Sequence, residues 1–259
     1  MNIVLIGAGN IAHFFASRLL AKGHNIAQIY SRTKAHGLSL GDMTGAEVTD
    51  SLHDIRKDAD AYILAVKDDA LAEVAQPLSL QDKVVIHCAG AVPLKIIDNA
   101  SQNIAVIWAL YSIQKNNLPR EEVPLVVESS NNLARSIALN IARDISLLVV
   151  EADYEQRQAL HLNAVLVNNF GNHLMAIAQV ICKENGLSFE ILQPIIRQTV
   201  TQVIGTEHAQ IQTGPAIRND VSTMEKHISL LQHHPEWQKL YAAVSASIQK
   251  MGTNNNLEN

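Results

Sequence analysis

Cysteine is nearly absent from this 259-residue chain: Cys88 and Cys182 are too few for a disulfide framework and point to a reducing compartment. Aromatic residues make up only 4%, which leaves little for the stacking platforms that single-stranded nucleic acid needs. Basic excess is missing too. Lys and Arg number 20 against 25 Asp and Glu, a formal net charge of −5, and no basic run tracks a phosphate backbone. The 11 histidines show no ligand spacing such as His-Glu-x-x-His, so no metal site is expected. No Ser/His/Asp or Cys/His arrangement can be assembled from local motifs, and Cys88, at a strand end, reads as packing rather than as a nucleophile. No apolar stretch is expected to reach the length of a membrane span, and the short N-terminal apolar run lacks the basic lead of a signal peptide. The exclusions leave a cytoplasmic protein with neither nucleic acid nor membrane as partner. What is present is 47% hydrophobic residues, ample for one large core or two modest ones.

The N-terminus is the most informative segment. Asn2-Ile3-Val4-Leu5-Ile6 is a buried-strand pattern that runs into Gly7-Ala8-Gly9-Asn10-Ile11-Ala12, a Gly-x-Gly-x-x-Ala turn, and then into a helical stretch to Ala21. Strand, glycine turn and helix in this order make a dinucleotide-binding βα unit. Gly7 permits the tight turn, Gly9 keeps side-chain bulk away from a pyrophosphate, and Ala12 lets the helix pack on the strand. Free N–H groups at the start of the helix, around Asn10 and Ile11, then face the phosphates. The bland alternative is a tight turn that binds nothing.

Apolar runs recur at residues 3–6, 26–30, 61–66, 84–86, 104–107, 124–127 and 147–150. Their alternation with helical or turn patterns predicts an α/β region, a doubly wound and mostly parallel sheet over residues 1–151. Ligands of such sheets lie outside the carboxyl ends of the strands. That rule nominates Ser31-Arg32, Val66-Lys67-Asp68 and His87-Cys88-Ala89-Gly90 as edges of the cofactor crevice. An NAD site usually has an acid at the end of the second strand, but here no acid follows until Asp42. Ser31 and Thr33 can instead donate to a 2′-phosphate and Arg32 can pair with it, so the cofactor is expected to be NADP. A solvated, charged turn is the competing explanation.

From Asp153 the rhythm becomes helical. Asp153-x-x-Gln156 resembles a capping box, and Gly186 supplies a stop. Between them the chain is apolar on almost every face, which predicts a buried central helix roughly 45 Å long at helical rise. A second helix runs from Ser188 to Gly205, with Pro194 marking a kink or a later start. A third begins at a Ser222-x-x-Glu225 box, and a fourth carries Trp237, Leu240, Tyr241, Val244 and Ile248. Residues 152–251 thus form an all-α domain, followed by a disordered polar tail over 252–259. Inside the central helix stand His161, Asn163, Asn168, Asn169, Asn172 and His173. Burying so many amides and imidazoles requires hydrogen bonds or a cleft. They form either a polar wall facing substrate or a set of satisfied interhelical or subunit contacts. Arg218, in Gln212-Thr213-Gly214-Pro215-Ala216-Ile217-Arg218-Asn219-Asp220, either clamps a substrate carboxylate or pairs with Asp220.

These motifs resemble a known family. Gly7 to Ala12, His87 to Gly90, Tyr111-Ser112-Ile113-Gln114, His161 to Val165, Asn169-Phe170 with Asn172-His173, and Gln212 to Ala216 with Arg218 and Asp220 are similar to the Rossmann-like proteins that end in a DUF2520 domain. That group lies within the wider set of pyrroline-5-carboxylate reductase, 6-phosphogluconate dehydrogenase and the β-hydroxyacid dehydrogenases. The resemblance covers nearly the whole chain. It implies an NADP-binding fold and an oxidoreductase, and it names no substrate. The β-hydroxyacid dehydrogenases place a catalytic Lys four residues before an Asn on this helix; aligned on Asn169, that position holds Val165.

The expectation is therefore an NADP-dependent reductase of a small carbonyl or imine. Gly7, Gly9, Asn10, Ile11, Ser31, Arg32, Val66, Lys67 and Ala89 hold the cofactor. His161 donates the proton with Asn169 beside it, while His87, Gln114, Asn172 and Arg218 contact substrate. The rival is a non-catalytic NADP-binding sensor or scaffold, which Val165 favours. The apolar helical domain also suits a homodimer.

Overall fold

The computed structural model describes residues 1–203 and 212–255. Two compact units emerge, Met1–Asn168 and the chain from Asn169 onward. The first holds one eight-stranded sheet: β1 Asn2–Ile6, β2 Asn25–Tyr30, β3 Glu47–Thr49, β4 Ala61–Leu64, β5 Val84–His87, β6 Asn103–Ala109, β7 Leu125–Ser129 and β8 Val149–Glu151. Their spatial order is β3-β2-β1-β4-β5-β6-β7-β8, and every neighbouring pair is parallel except β6 with β7.

Near-continuous apolar strands follow from cover on both faces. Along β1, Ile3 and Leu5 join one core with Phe14, Phe15 and Leu19 of α1 (Asn10–Ala21) and with Ala138 and Ile141 of α4 (Asn132–Ile145). Val4 and Ile6 point the other way, into a core with Leu71 and Val74 of α3 (Leu71–Ala75). α2 (Lys34–Thr44) follows β2 and adds Leu40 to the first of these cores.

One strand goes beyond the pattern read in the sequence, and one pairing is the antiparallel exception that a mostly parallel sheet allows. The short β3 was not anticipated, because Glu47-Val48-Thr49 has no apolar run and earns its place only by pairing with β2 at the sheet edge. β7 runs antiparallel to β6, since the stretch between them contains no crossover helix to return the chain to the same end.

Asp153 caps α5 (Tyr154–Ala164) with the full box: its carboxylate accepts from the Gln156 N–H, and the Gln156 side chain accepts from the Asp153 N–H. A π-helical turn at Val165–Phe170 and α6 (Gly171–Glu184) continue the run. The expectation of a buried central helix fails within a single chain. Only Arg157 and Cys182 are buried along it, while Leu162, Val167 and Phe170 are 59%, 79% and 54% exposed. An apolar composition reports that a surface wants cover; it does not say that the same chain provides it. Tyr154–Glu184 is also long and apolar enough to cross a membrane by those criteria, with a mean hydropathy of 1.2, contrary to the expectation that no stretch reaches that length.

In the second unit α6 ends at Asn185, and Gly186 takes the left-handed conformation with φ 68°. A 3-10 turn at Phe189–Leu192 precedes α7 (Gln193–Val203), so Pro194 marks the later start, inside the first turn where it does no harm. Gly205, the expected end of this helix, lies outside the described residues. α8 (Val221–Leu230) is capped by Asp220 rather than by Ser222: the Asp220 carboxylate accepts from both the N–H and the hydroxyl of Thr223. α9 (Pro235–Asn255) continues past residue 251, where an unstructured tail was expected. Ile217 packs directly on Gly252 and ties that end down; residues 256–259 lie outside the described residues.

Candidate functional site

Backbone geometry at the end of β1 explains the glycines. Gly7 has φ 121°, its N–H donates to the Tyr30 carbonyl at 2.8 Å, and a Cβ there would sit 2.3 Å from the Ala65 carbonyl oxygen. The turn is thus pressed between the ends of β2 and β4. Gly9 is the opposite case. It precedes α1 with ordinary extended angles, and a Cβ there would meet nothing within 4 Å. The first turn of α1 has no side-chain cap and no acidic residue, so its free N–H groups and positive dipole end are open to an anion.

The carboxyl ends of β1, β2 and β4 enclose a cleft of about 430 Å³. Six of the predicted cofactor residues line it: Gly7, Gly9, Ser31, Arg32, Val66 and Lys67. Asn10 is occupied elsewhere, its Oδ1 accepting from the Lys115 N–H at 3.1 Å. Ile11 packs against the first core, and Ala89 is buried away from the cleft lining. Ser31 spends its hydroxyl proton on the Thr33 carbonyl at 2.9 Å, holding the turn, which leaves only its lone pairs for a ligand. Arg32 and Lys67 are exposed and Thr33, the other expected 2′-phosphate donor, stands in the wall with them, while His36, Asp69 and Glu73 complete it without having been singled out in the sequence. His36 stands four positions past Arg32, on the first turn of α2; reading that turn for ligands beyond the strand end would have found it.

The end of β5 is built differently. His87 is 0% exposed, which leaves it no surface for a substrate, contrary to the expectation. Its Nδ1 accepts from the Ala89 N–H at 3.2 Å, so Nε2 carries the proton and finds no partner. Burial, reinforced by the nearby Arg157 charge, pushes its pKa down to about 3. Cys88 is buried and burial pushes its thiol up, as befits packing. His161 is half-buried on α5, its ring 5.7 Å from that of Trp108 on β6. Gln114 is exposed and bridges to Asn117. Asn169, Asn172 and Arg218 are exposed on the second unit. Asp220, hydrogen-bonded by Thr223, stays below the usual carboxylate range, and no ion pair with Arg218 forms. Among the described residues no group of three or more His, Cys, Asp or Glu is placed to hold a metal ion.

Known proteins sharpen the assignment. Residues 2–90 match the family model of the NADP oxidoreductases, coenzyme F420-dependent, and residues 123–248 match the domain of unknown function DUF2520. A Bacteroides fragilis protein described as an NADP oxidoreductase shares 35% identity over 96% of this chain and 98% of its own, with a TM-score of 0.88. The chain belongs to this NADP oxidoreductase family. No curated protein matches it. A pyrroline-5-carboxylate reductase from Coxiella burnetii shares the fold at 20% identity and TM-score 0.56, covering 98% of this chain and 97% of its own. An imine reductase from Myxococcus stipitatus, solved with NADP+, does so at 15% and 0.64, covering 98% and 93%.

The family's cofactor is NADP, and the residues present fit it. Open space at Gly9 lets a pyrophosphate approach the backbone, and the uncapped start of α1 offers it donors. Arg32 supplies a fixed positive charge at the end of β2, where an NAD site would carry an acid.

Proposed function

We propose that this oxidoreductase is an NADP-dependent reductase of a small carbonyl or imine compound. The observation that carries the reading is the cleft that joins the open Gly9 backbone, the uncapped α1 terminus and Arg32. When bound, NADPH supplies the hydride. Gly7 and Gly9 give the pyrophosphate its approach, Arg32 pairs with the 2′-phosphate, and Val66 and Lys67 form the opposite wall. His161 holds the proton for the substrate heteroatom, because its imidazole is part-exposed beside the Trp108 ring, whereas His87 is sealed and neutral.

Removing a charged partner of a phosphate costs about 1.5–3 kcal/mol, roughly ten- to a hundredfold in affinity. Arg32→Ala is therefore expected to weaken NADPH binding by at least about tenfold in a fluorescence titration and to leave NADH binding nearly unchanged. Equal loss for both cofactors would remove Arg32 from the 2′-phosphate. A second reading, tight NADP binding without turnover, draws on Val165 at the position where the β-hydroxyacid dehydrogenases carry a catalytic lysine. NADPH consumption over a panel of keto acids, aldehydes and cyclic imines separates the two.

The exposed apolar face of the long helix is covered by a second copy of the chain in this reading, because Leu162, Leu166, Val167, Phe170 and Leu174 are too many to leave in water. Light scattering is expected to give twice the chain mass, and Val167→Glu together with Phe170→Glu to halve it. A monomeric wild type would end the dimer proposal.

A further inference from the structure

Arg157 is 0% exposed, in the first turn of α5, and all five of its N–H groups have an acceptor. Nε and Nη2 donate to one oxygen of Glu128 on β7 at 2.9 and 2.7 Å. Nη1 donates to the carbonyls of Ala89 and Gly90 at 3.0 and 2.7 Å, and Nη2 to that of Val92 at 3.0 Å. A buried ion pair is a poor device for stability alone, since an apolar pair of similar volume often serves as well. Its value here is where it holds the loop after β5.

In a trans peptide the N–H points opposite to the C=O. With the Ala89 and Gly90 carbonyls turned onto Arg157, the N–H groups of Gly90 and Ala91 face away from it. Among the described residues neither N–H has an acceptor. The loop cannot swing to relieve this. A Cβ on Gly90 would lie 2.4 Å from the Trp108 ring, so the backbone is already flush against it. The loop also sits at the carboxyl end of β5, beside β4, whose own carboxyl end lines the NADP cleft.

We propose that Arg157 is a positioning residue that presents the Gly90 and Ala91 N–H groups as a two-donor receptor for a planar carboxamide or carboxylate oxygen. The nicotinamide carboxamide is the source to which the loop's place on the sheet commits it. This rests on the NADP reading above, and the two can fail separately. The same Trp108 ring also meets His161, tilted against it at 5.7 Å from α5, one turn after Arg157.

Calorimetry with NADP+ and with 2′,5′-ADP, which has the adenine end but no nicotinamide, tests the assignment. Wild type is expected to bind both, NADP+ more tightly. Arg157→Lys keeps the charge and loses the fork; it is expected to erase about tenfold of the NADP+ affinity and to leave 2′,5′-ADP within twofold. Gly90→Ala, which presses the loop off Trp108 from the other side, is expected to show the same selective loss and covers the case in which Arg157→Lys fails to fold. Parallel weakening of both ligands, or unchanged NADP+ binding in folded variants, overturns the proposal. Wild type that binds neither ligand overturns the cofactor reading with it.

Discussion

Gly9→Val is expected to abolish measurable NADPH binding while leaving the thermal transition close to that of wild type; Gly7→Ala is expected to destabilise the fold itself. The two residues are separated by one position and by opposite physics. At Gly7 the backbone adopts φ 121°, and an added methyl would stand 2.3 Å from the main-chain oxygen of Ala65, directly after β4, which cannot move without shifting the strand. A strained conformation of this kind costs about 1–3 kcal/mol before the clash is counted. At about 2–4 °C per kcal/mol for a domain of this size, the transition falls by roughly 10 °C or more. At Gly9 the angles suit any residue and the space beyond is empty, so valine is tolerated by the protein and excludes only what would occupy that space. Scanning fluorimetry beside a cofactor titration reads both. NADPH affinity retained in Gly9→Val would show that the pyrophosphate does not approach this backbone.

That pair was legible in the sequence because strand, turn and helix are all local and each leaves a periodic trace. The same holds for the Asp153 and Gln156 box and for the strands covered on both faces. What escaped is what depends on distant partners. Arg157 in a helix's first turn reads as solvated surface; its acceptors lie 29 and 65–68 positions away, on Glu128 and the loop after β5. The lone acid in the apolar run Leu125-Val126-Val127-Glu128 was the available signal. His87 reads as a ligand because polar residues at strand ends often face the crevice, yet it is turned inward to accept from Ala89. Two competing caps stood within three residues of each other at α8, and Asp220, with a carboxylate to offer, prevails over Ser222. The apolar character of the long helix was plain, but its cover is not encoded within one chain's contacts.

His87 also makes stability depend on pH in a defined window. Its pKa falls from 6.5 in an unfolded chain to about 3 here, because burial disfavours the imidazolium and the Arg157 charge adds to that effect, against a small opposing contribution from the Pro93 carbonyl. Between those two values the unfolded chain binds a proton that the folded chain refuses, so stability rises with pH through the window. The contribution is complete above about pH 6.5 and is lost progressively on acidification toward pH 3, reaching up to about 5 kcal/mol at roughly 1.4 kcal/mol per pH unit. His87→Asn retains an acceptor for the Ala89 N–H and has nothing to titrate. Urea midpoints at steps between pH 7 and pH 4 are therefore expected to fall more steeply for wild type than for the variant. The carboxylates held low by hydrogen bonds or ion pairs, such as Glu122, Glu151 and Asp220, lose their stabilising contribution on acidification in both proteins alike and cancel in the comparison. Parallel curves would mean that His87 accepts its proton without disturbing the fold, and the sealed, neutral imidazole beneath the β5 loop would have to be given up.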